Sequence, residues 1–196
     1  MKPYADSCDQ NRVPILSVIK PLFAECKRIL EIGSGTGQHA VYFAEKMPHL
    51  IWQTSDRAEN HAGIKMWLDE ANLLNTRLPL ALDVSQDGWP KKQYDGIFSA
   101  NCVHIMAKSD VQAMFAGCAS VLSSGGLLVL YGPFNYGGQY SSESNARFDL
   151  WLKERNSFSG IRDFEWLDSL ANRGGMTLQG DYEMPVNNRI LCWEKV

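Results

Sequence analysis

The chain lacks any long apolar run. Its longest, such as 127–131, falls far short of the roughly 20 residues that a membrane-spanning helix needs. It also lacks a basic run. Nothing approaches the roughly five to eight consecutive Lys/Arg residues of a nucleic-acid patch, and the formal charge is -3. DNA or RNA is therefore disfavoured as a bulk electrostatic partner, which leaves room only for a small structured RNA. The opening Met1-Lys-Pro-Tyr-Ala-Asp-Ser7 is polar and has no apolar core, so no secretory leader is expected. Cysteine is sparse: 5 residues, an odd number with no C-x-x-C spacing. That excludes a disulfide framework and a thiolate zinc site, and it points to the cytoplasm. Cys26, Cys118 and Cys192 sit in apolar patterns and read as buried thiols. The acids form no compact ligand cluster, so no metal is assigned. There is no internal repeat or low-complexity segment.

What is present is ordinary for a globular protein. The chain has 196 residues, 45% of them hydrophobic and 21% charged. That is enough for one domain, 1–196, with a full central sheet and helices on both faces. Residues 1–25 are expected to form an N-terminal cap segment and helix. The first dozen read as irregular. Over 12–25, apolar residues at Val13, Leu16, Ile19 and Phe23, with Pro14 near the start, predict a helix that Pro21 should end or kink. Strand and helix patterns then alternate: strand 28–32, helix 38–47, strand 50–54, helix 58–74, and strands 80–82 and 95–100. Helix 110–122, capped by Ser109, leads to strand 127–131. Helices 145–154 and 163–172 and two closing strands, 176–183 and 189–194, complete the chain. The alternation predicts an α/β, doubly wound parallel sheet. Only Met184-Pro-Val-Asn-Asn188 separates the last two strands. That link is too short for a parallel crossover, so the final strand must run antiparallel.

The richest stretch is Arg28-Ile-Leu-Glu-Ile-Gly-Ser-Gly-Thr-Gly-Gln38. A strand carrying Glu31 meets Gly33, Gly35 and Gly37 at alternate positions and then a helix. Such a turn lets backbone approach a bound nucleotide closely. In an open parallel sheet, ligands bind beyond the carboxyl ends of the strands. Asp56 follows strand two, where a carboxylate can accept from ribose hydroxyls, and it can equally cap the next helix. Asp83 and Val84 follow strand three and offer an acceptor for an adenine amino group and an apolar face. Asn101-Cys-Val-His104 follows strand four. The segment 132–142, rich in Gly, Tyr and Ser, follows strand five and reads as an aromatic lid over substrate. Asn187 and Asn188 fall on the same edge, where they face the cleft or simply serve the turn.

The glycines fit two templates. Glu31-x-Gly33-x-Gly35-x-Gly37 is one, and Gly35-x-Gly37-x-x-Ala40 satisfies the dinucleotide form. Three further features separate them. The chain has no room for a second nicotinamide half. Leu122-Ser-Ser-Gly125-Gly126-Leu opens strand five with a double glycine. A tight strand pair closes the sheet. In this order the features resemble the class I S-adenosylmethionine-dependent methyltransferases. More narrowly, the chain resembles a small family of stand-alone methyltransferase-like proteins whose substrate is not established. The likeness spans nearly the whole chain. Its segments include Asn11-Arg12, Trp52-Gln-Thr-Ser-Asp56, Leu80-Ala-Leu-Asp-Val84, Leu130-Tyr-Gly-Pro-Phe134, Ser144-Asn-Ala-Arg-Phe-Asp149 and Gly160-Ile-Arg-Asp163. In that family alanine is frequent where this chain has Gly33.

The resemblance implies a Rossmann-like seven-stranded sheet of order 3-2-1-4-5-7-6 and S-adenosylmethionine as cofactor, with S-adenosylhomocysteine as product. The cofactor set expected is Arg12, Glu31, Gly33, Ser34, Gly35, Thr36, Gly37, Asp56, Asp83, Val84 and Asn101. Arg12 is the candidate for the methionine carboxylate or an acidic substrate. Methyl transfer is an in-line displacement that asks the protein for positioning and, for a hydroxyl or amine, a base. His104 is the expected base and Tyr131 the aromatic face toward the sulfonium. Phe134, Tyr140, Asn187 and Asn188 are expected around a small-molecule acceptor. A cofactor-binding regulator without catalysis and an NAD(P)-dependent oxidoreductase are the alternatives.

Overall fold

The computed structural model describes residues 1–86 and 88–196. Seven strands form one sheet: β1 (Arg28–Ile32), β2 (Ile51–Asp56), β3 (Thr76–Ala81), β4 (Tyr94–Ala100), β5 (Leu122–Gly132), β8 (Met176–Met184) and β9 (Asn188–Lys195). Their order is β3-β2-β1-β4-β5-β9-β8. Counted along the main sheet alone, that is the expected 3-2-1-4-5-7-6. The pairs from β3 through β5 are parallel, whereas β9 is antiparallel to both β5 and β8. The short 3₁₀ turn Pro185–Asn187 between β8 and β9 enforces this, because no crossover fits in three residues. Two short strands, β6 (Phe134–Asn135) and β7 (Arg162–Asp163), pair separately.

Helices cover both faces, and the strand sequences show why. Successive side chains point to opposite faces. Ile29, Phe98 and Val129 therefore meet Ile15, Ile19, Phe43 and Trp52 on one side. Leu30, Ile97, Leu128 and Leu130 meet Val111, Phe115 and Leu167 on the other. The first face carries helix α1 (Asp6–Leu22) and α2 (Gln38–Lys46). The second carries α4 (Lys108–Val121) and α6 (Phe164–Arg173). Helices α3 (His61–Ala71) and α5 (Glu143–Arg155) complete the set. Among the described residues, no helix is long and apolar enough to cross a membrane.

Two local expectations are corrected. Helix α1 starts at Asp6, not near Arg12, with Asp6 and Asp9 favourably placed in its first turn. Pro14 lies inside it rather than at its start, and the helix ends one residue after Pro21. Ser109 does not cap α4. Ala107 occupies that position, and Ser109 Oγ donates to Asp110 Oδ1 instead.

Candidate active site

The glycine turn is locked to β2 from beneath. The Gly33 and Ser34 N–H groups both donate to Ser55 O at 3.0 Å. Glu31 is buried under the turn, and its Oε2 accepts from Ser34 Oγ at 2.7 Å and from Trp52 Nε1 at 3.2 Å. Burial pushes its carboxyl up to about 7, against the pull of those two hydrogen bonds. Gly33 has φ 72°, and a Cβ there would lie 2.3 Å from Cys102 Sγ, so in this chain a side chain at 33 strains the backbone and forces the sulfur to move. Above the turn, Gly35 N–H donates to Asp56 Oδ2 at 2.7 Å, while Asp56 Oδ1 accepts from Arg57 N and Asn60 Nδ2. Oδ1 is thus fully used, whereas Oδ2 keeps lone-pair capacity for a ligand hydroxyl.

These elements wall a cleft of about 580 Å³ at the carboxyl ends of the strands. Gly33, Gly35, Asp56, Asp83, Val84 and Asn101 all line it, as expected from the sequence. Asp83 Oδ1 accepts from Ser85 N and Oγ, which holds its carboxyl below the usual range. Leu82, Met106 and Phe158 add apolar surface. Glu31, Ser34, Thr36 and Gly37 are not in the wall. Glu31 and Ser34 shore up the turn, and Gly37 precedes α2 with φ 94°. Arg12 is in neither this cleft nor the next. It pairs with Asp9 at 2.7 Å and lies over the Tyr42 ring at 4.8 Å.

A second pocket of about 600 Å³ adjoins the cleft and shares Asn101 and Ile105 with it. His104, Tyr131 and Asn188 line it, and Tyr131 does not line the first cleft. Asn101 holds a left-handed backbone, φ 59°, with its N–H donating to Tyr131 O at 2.9 Å. Such a conformation in a non-glycine residue is the kind of strain that collects at working sites. His104 is buried against Phe148, ring centroids 5.3 Å apart and edge to face. Burial, aided by the Arg162 cation, drives its imidazole down to about 4, so it is neutral at pH 7. Burial raises the Tyr131 phenol.

The other expected substrate residues lie elsewhere. Phe134 is 1% exposed and belongs to the core, because β6 pairs with β7 and draws it inward. Tyr140 donates to Asp149 and lines a third cavity. Asn187 spends its side chain on Ser144 Oγ and does not line the pocket. The expected lid is tied down as well. Tyr136 stacks on Phe164 at 5.5 Å and donates to Asp181, so only Pro133 of that segment reaches the pocket.

Two helices supply walls that the sequence reading did not assign. From α1 come Ser7, Gln10, Asn11 and Pro14, at i, i+3, i+4 and i+7 on one face. From α5 come Asn145, Phe148, Trp151 and Leu152. The signal was present as spacing, but it becomes readable only once α1 is known to begin at Asp6. The Tyr-x-x-x-Lys spacing used in hydride chemistry occurs once, at Tyr42 and Lys46. Both residues sit on α2, outside both clefts.

Known folds match this arrangement. An O-methyltransferase family protein from Burkholderia thailandensis superposes with a TM-score of 0.83 at 13% identity, over 93% of this chain and 55% of that one. The S-adenosylmethionine-dependent methyltransferase SibL gives 0.81 at 20% identity, over 96% and 55%. CalO1, a methyltransferase in calicheamicin biosynthesis with S-adenosylhomocysteine bound, gives 0.72 at 15% identity, over 86% and 49%. The chain thus spans about half the length of these proteins. Its fold is that of the class I S-adenosylmethionine-dependent methyltransferases. The chain belongs to the family described as "Protein of unknown function (DUF938)", whose model matches residues 2–195.

Proposed function

We propose that the protein transfers a methyl group from S-adenosylmethionine to a hydroxyl of a small, uncharged, planar acceptor. One observation carries the cofactor choice. Among the described residues, the charged ones lining the cleft are Asp56, Asp83, Asp110 and Arg57, three acids to one base. That field suits a sulfonium cation bearing ribose and adenine, and it opposes the pyrophosphate of a dinucleotide. Among the described residues, the neighbouring pocket is lined by no lysine, arginine or carboxylate side chain. Its aromatic walls and its asparagines favour a flat, neutral molecule with a few polar atoms.

In this reading Asp56 Oδ2 accepts from a ribose hydroxyl, Asp83 Oδ2 from the adenine amino group, and Gly33 and Gly35 give close backbone approach. The bound sulfonium supplies an activated methyl carbon. Asn101 and Ile105, which border both spaces, mark where that carbon meets the acceptor oxygen. His104 is neutral and offers a lone pair to the acceptor hydroxyl. The hydroxyl proton grows more acidic as its oxygen takes the methyl, so this neutral imidazole would accept it in the same step, leaving a neutral ether and an imidazolium.

Calorimetry with S-adenosylmethionine, S-adenosylhomocysteine and NADH tests the cofactor. Binding of NADH alone would overturn the reading. A methyl-transfer screen over small phenols, amines, thiols and carboxylates then tests catalysis. An adenosylmethionine-binding protein inactive on every class would instead be a cofactor-sensing regulator. With an active phenol, His104→Ala should lower kcat by roughly 10²-fold or more while leaving cofactor affinity unchanged.

A further inference from the structure

A third cavity, of about 660 Å³, lies along a different face of α5 and touches the cofactor cleft only at Phe158. Its lining residues carry three of the four buried side-chain polar atoms that lack a hydrogen-bond partner among the described residues. They are Arg162 Nε, Asp163 Oδ1 and Asn135 Oδ1. Arg162 is 6% exposed. Its Nη2 donates to the carbonyls of Phe158 and Met106, and no carboxylate pairs with it among the described residues. Asp149, the other acid in the wall, is already committed to Lys153, Tyr140 and the Ile161 N–H. Burial pulls the Arg162 guanidinium below its usual value, as expected of a desolvated cation.

A buried charge without a partner is costly, and so is a buried acceptor without a donor. Arg162 and Asp163 are consecutive on β7 and both line the cavity, yet no ion pair joins them among the described residues. Asn135 is the register partner of Asp163 across the ribbon, which makes the two residues neighbours, each with an unused oxygen. One group with several hydrogens serves both. Lys108 adds a further cation to the wall. We propose that this cavity binds a small zwitterion, an α-amino acid or a close analogue. Its carboxylate meets Arg162 and Lys108, and its ammonium meets Asp163 and Asn135.

The segment that carries Arg162 also holds the loop between the other two spaces. Gly160 N–H donates to His104 O at 2.8 Å, and Ser159 Oγ donates to Ile105 O at 2.9 Å. A ligand that completes the bonding of Arg162 firms this clamp.

Calorimetry on the full chain, without S-adenosylmethionine, compares serine, glycine, lactate, acetate and inorganic phosphate. The result is therefore independent of whether the protein methylates anything. Saturable binding of serine and glycine, tighter than that of lactate or acetate, is expected. Lactate or acetate binding as tightly as serine overturns the ammonium contact, and binding of phosphate alone overturns the carboxylate. No heat from any probe means that the cavity holds only water, and the proposal fails. Arg162→Gln should weaken serine binding roughly tenfold or more. Because that change also strips hydrogen bonds from Met106 and Phe158, Asp163→Asn is the second arm, and it should erase the preference for serine over lactate. An unchanged preference in a folded Asp163→Asn protein overturns the assignment.

Discussion

Replacing Gly33 by alanine probes the contact on which the whole cleft is built. The new Cβ meets two separate penalties. At φ 72° an L-residue loses roughly 1–2 kcal/mol relative to glycine. The Cβ would also stand 2.3 Å from Cys102 Sγ, more than 1 Å inside ordinary contact, which begins at 3.4 Å. Overpacking of that kind costs about 1–3 kcal/mol. Gly33→Ala should therefore destabilise by about 2–5 kcal/mol. In a Cys102→Ala background the sulfur is gone, and the nearest remaining atom, the Cβ at position 102, is 3.6 Å away. Only the backbone penalty then survives. Urea unfolding of the four proteins, followed by tryptophan fluorescence, closes a double-mutant cycle. The expected coupling is about 1–3 kcal/mol in favour of the double variant. Additivity to within about 0.5 kcal/mol would refute the argument, because it would mean that Cys102 does not press on the turn. Cofactor affinity should follow the same order, since the displaced backbone is the cleft wall.

Acid should weaken the fold in a calculable way. Burial lowers His39 and His104 from 6.5 to about 4, so each contributes stability that is full above pH 6.5 and lost as pH falls towards 4. Burial raises Glu31 from 4.5 to about 7, so its contribution is full below pH 4.5 and lost as pH rises through 7. Between pH 6.5 and 4.5 the unfolded chain binds about one more proton net. Stability should fall by about 1.4 kcal/mol per pH unit, and His104→Gln should flatten the slope; an unchanged slope in urea titrations would count against its buried, neutral state. Val186 holds φ 59° while 81% exposed, a strained setting for a β-branched residue. Val186→Gly should stabilise the protein by about 0.5–1 kcal/mol in the same assay, and a loss of stability would show that the strain is absent.

Much of this was legible in the chain. Strand 28–32 was read to the residue, because a run of buried positions ends at glycines that no strand continues. Asp56 and Asp83 line the cleft where their places after strands put them, and the antiparallel finish follows from the length of one loop. What escaped had physical causes. Pro14 looked like a helix start, because proline is favoured there, yet it sits well inside α1. Phe148 and Trp151 line a pocket, but in sequence an aromatic facing a cavity is identical to one facing the core. Phe134 reads in sequence as a substrate contact, because a ladder of two residues between β6 and β7 leaves no periodic trace. Arg12 is charged and near the right helix, but Asp9 is one turn away and holds it.

The position of β9 has a consequence for assembly. It lies between β5 and β8, yet it is synthesised after both. Until it emerges, β5 presents an unpaired edge and β8 has no partner at all. The amphipathic helix α6 can cover its face of the sheet earlier, but the sheet itself closes from the inside, by insertion of its last-made strand. Cooperative folding of the cleft, whose pocket rests on Tyr131 at the end of β5 and on Asn188 at the start of β9, must wait for that insertion. A nascent chain stalled before β9 would expose a long open edge, which is where chaperones and aggregation compete.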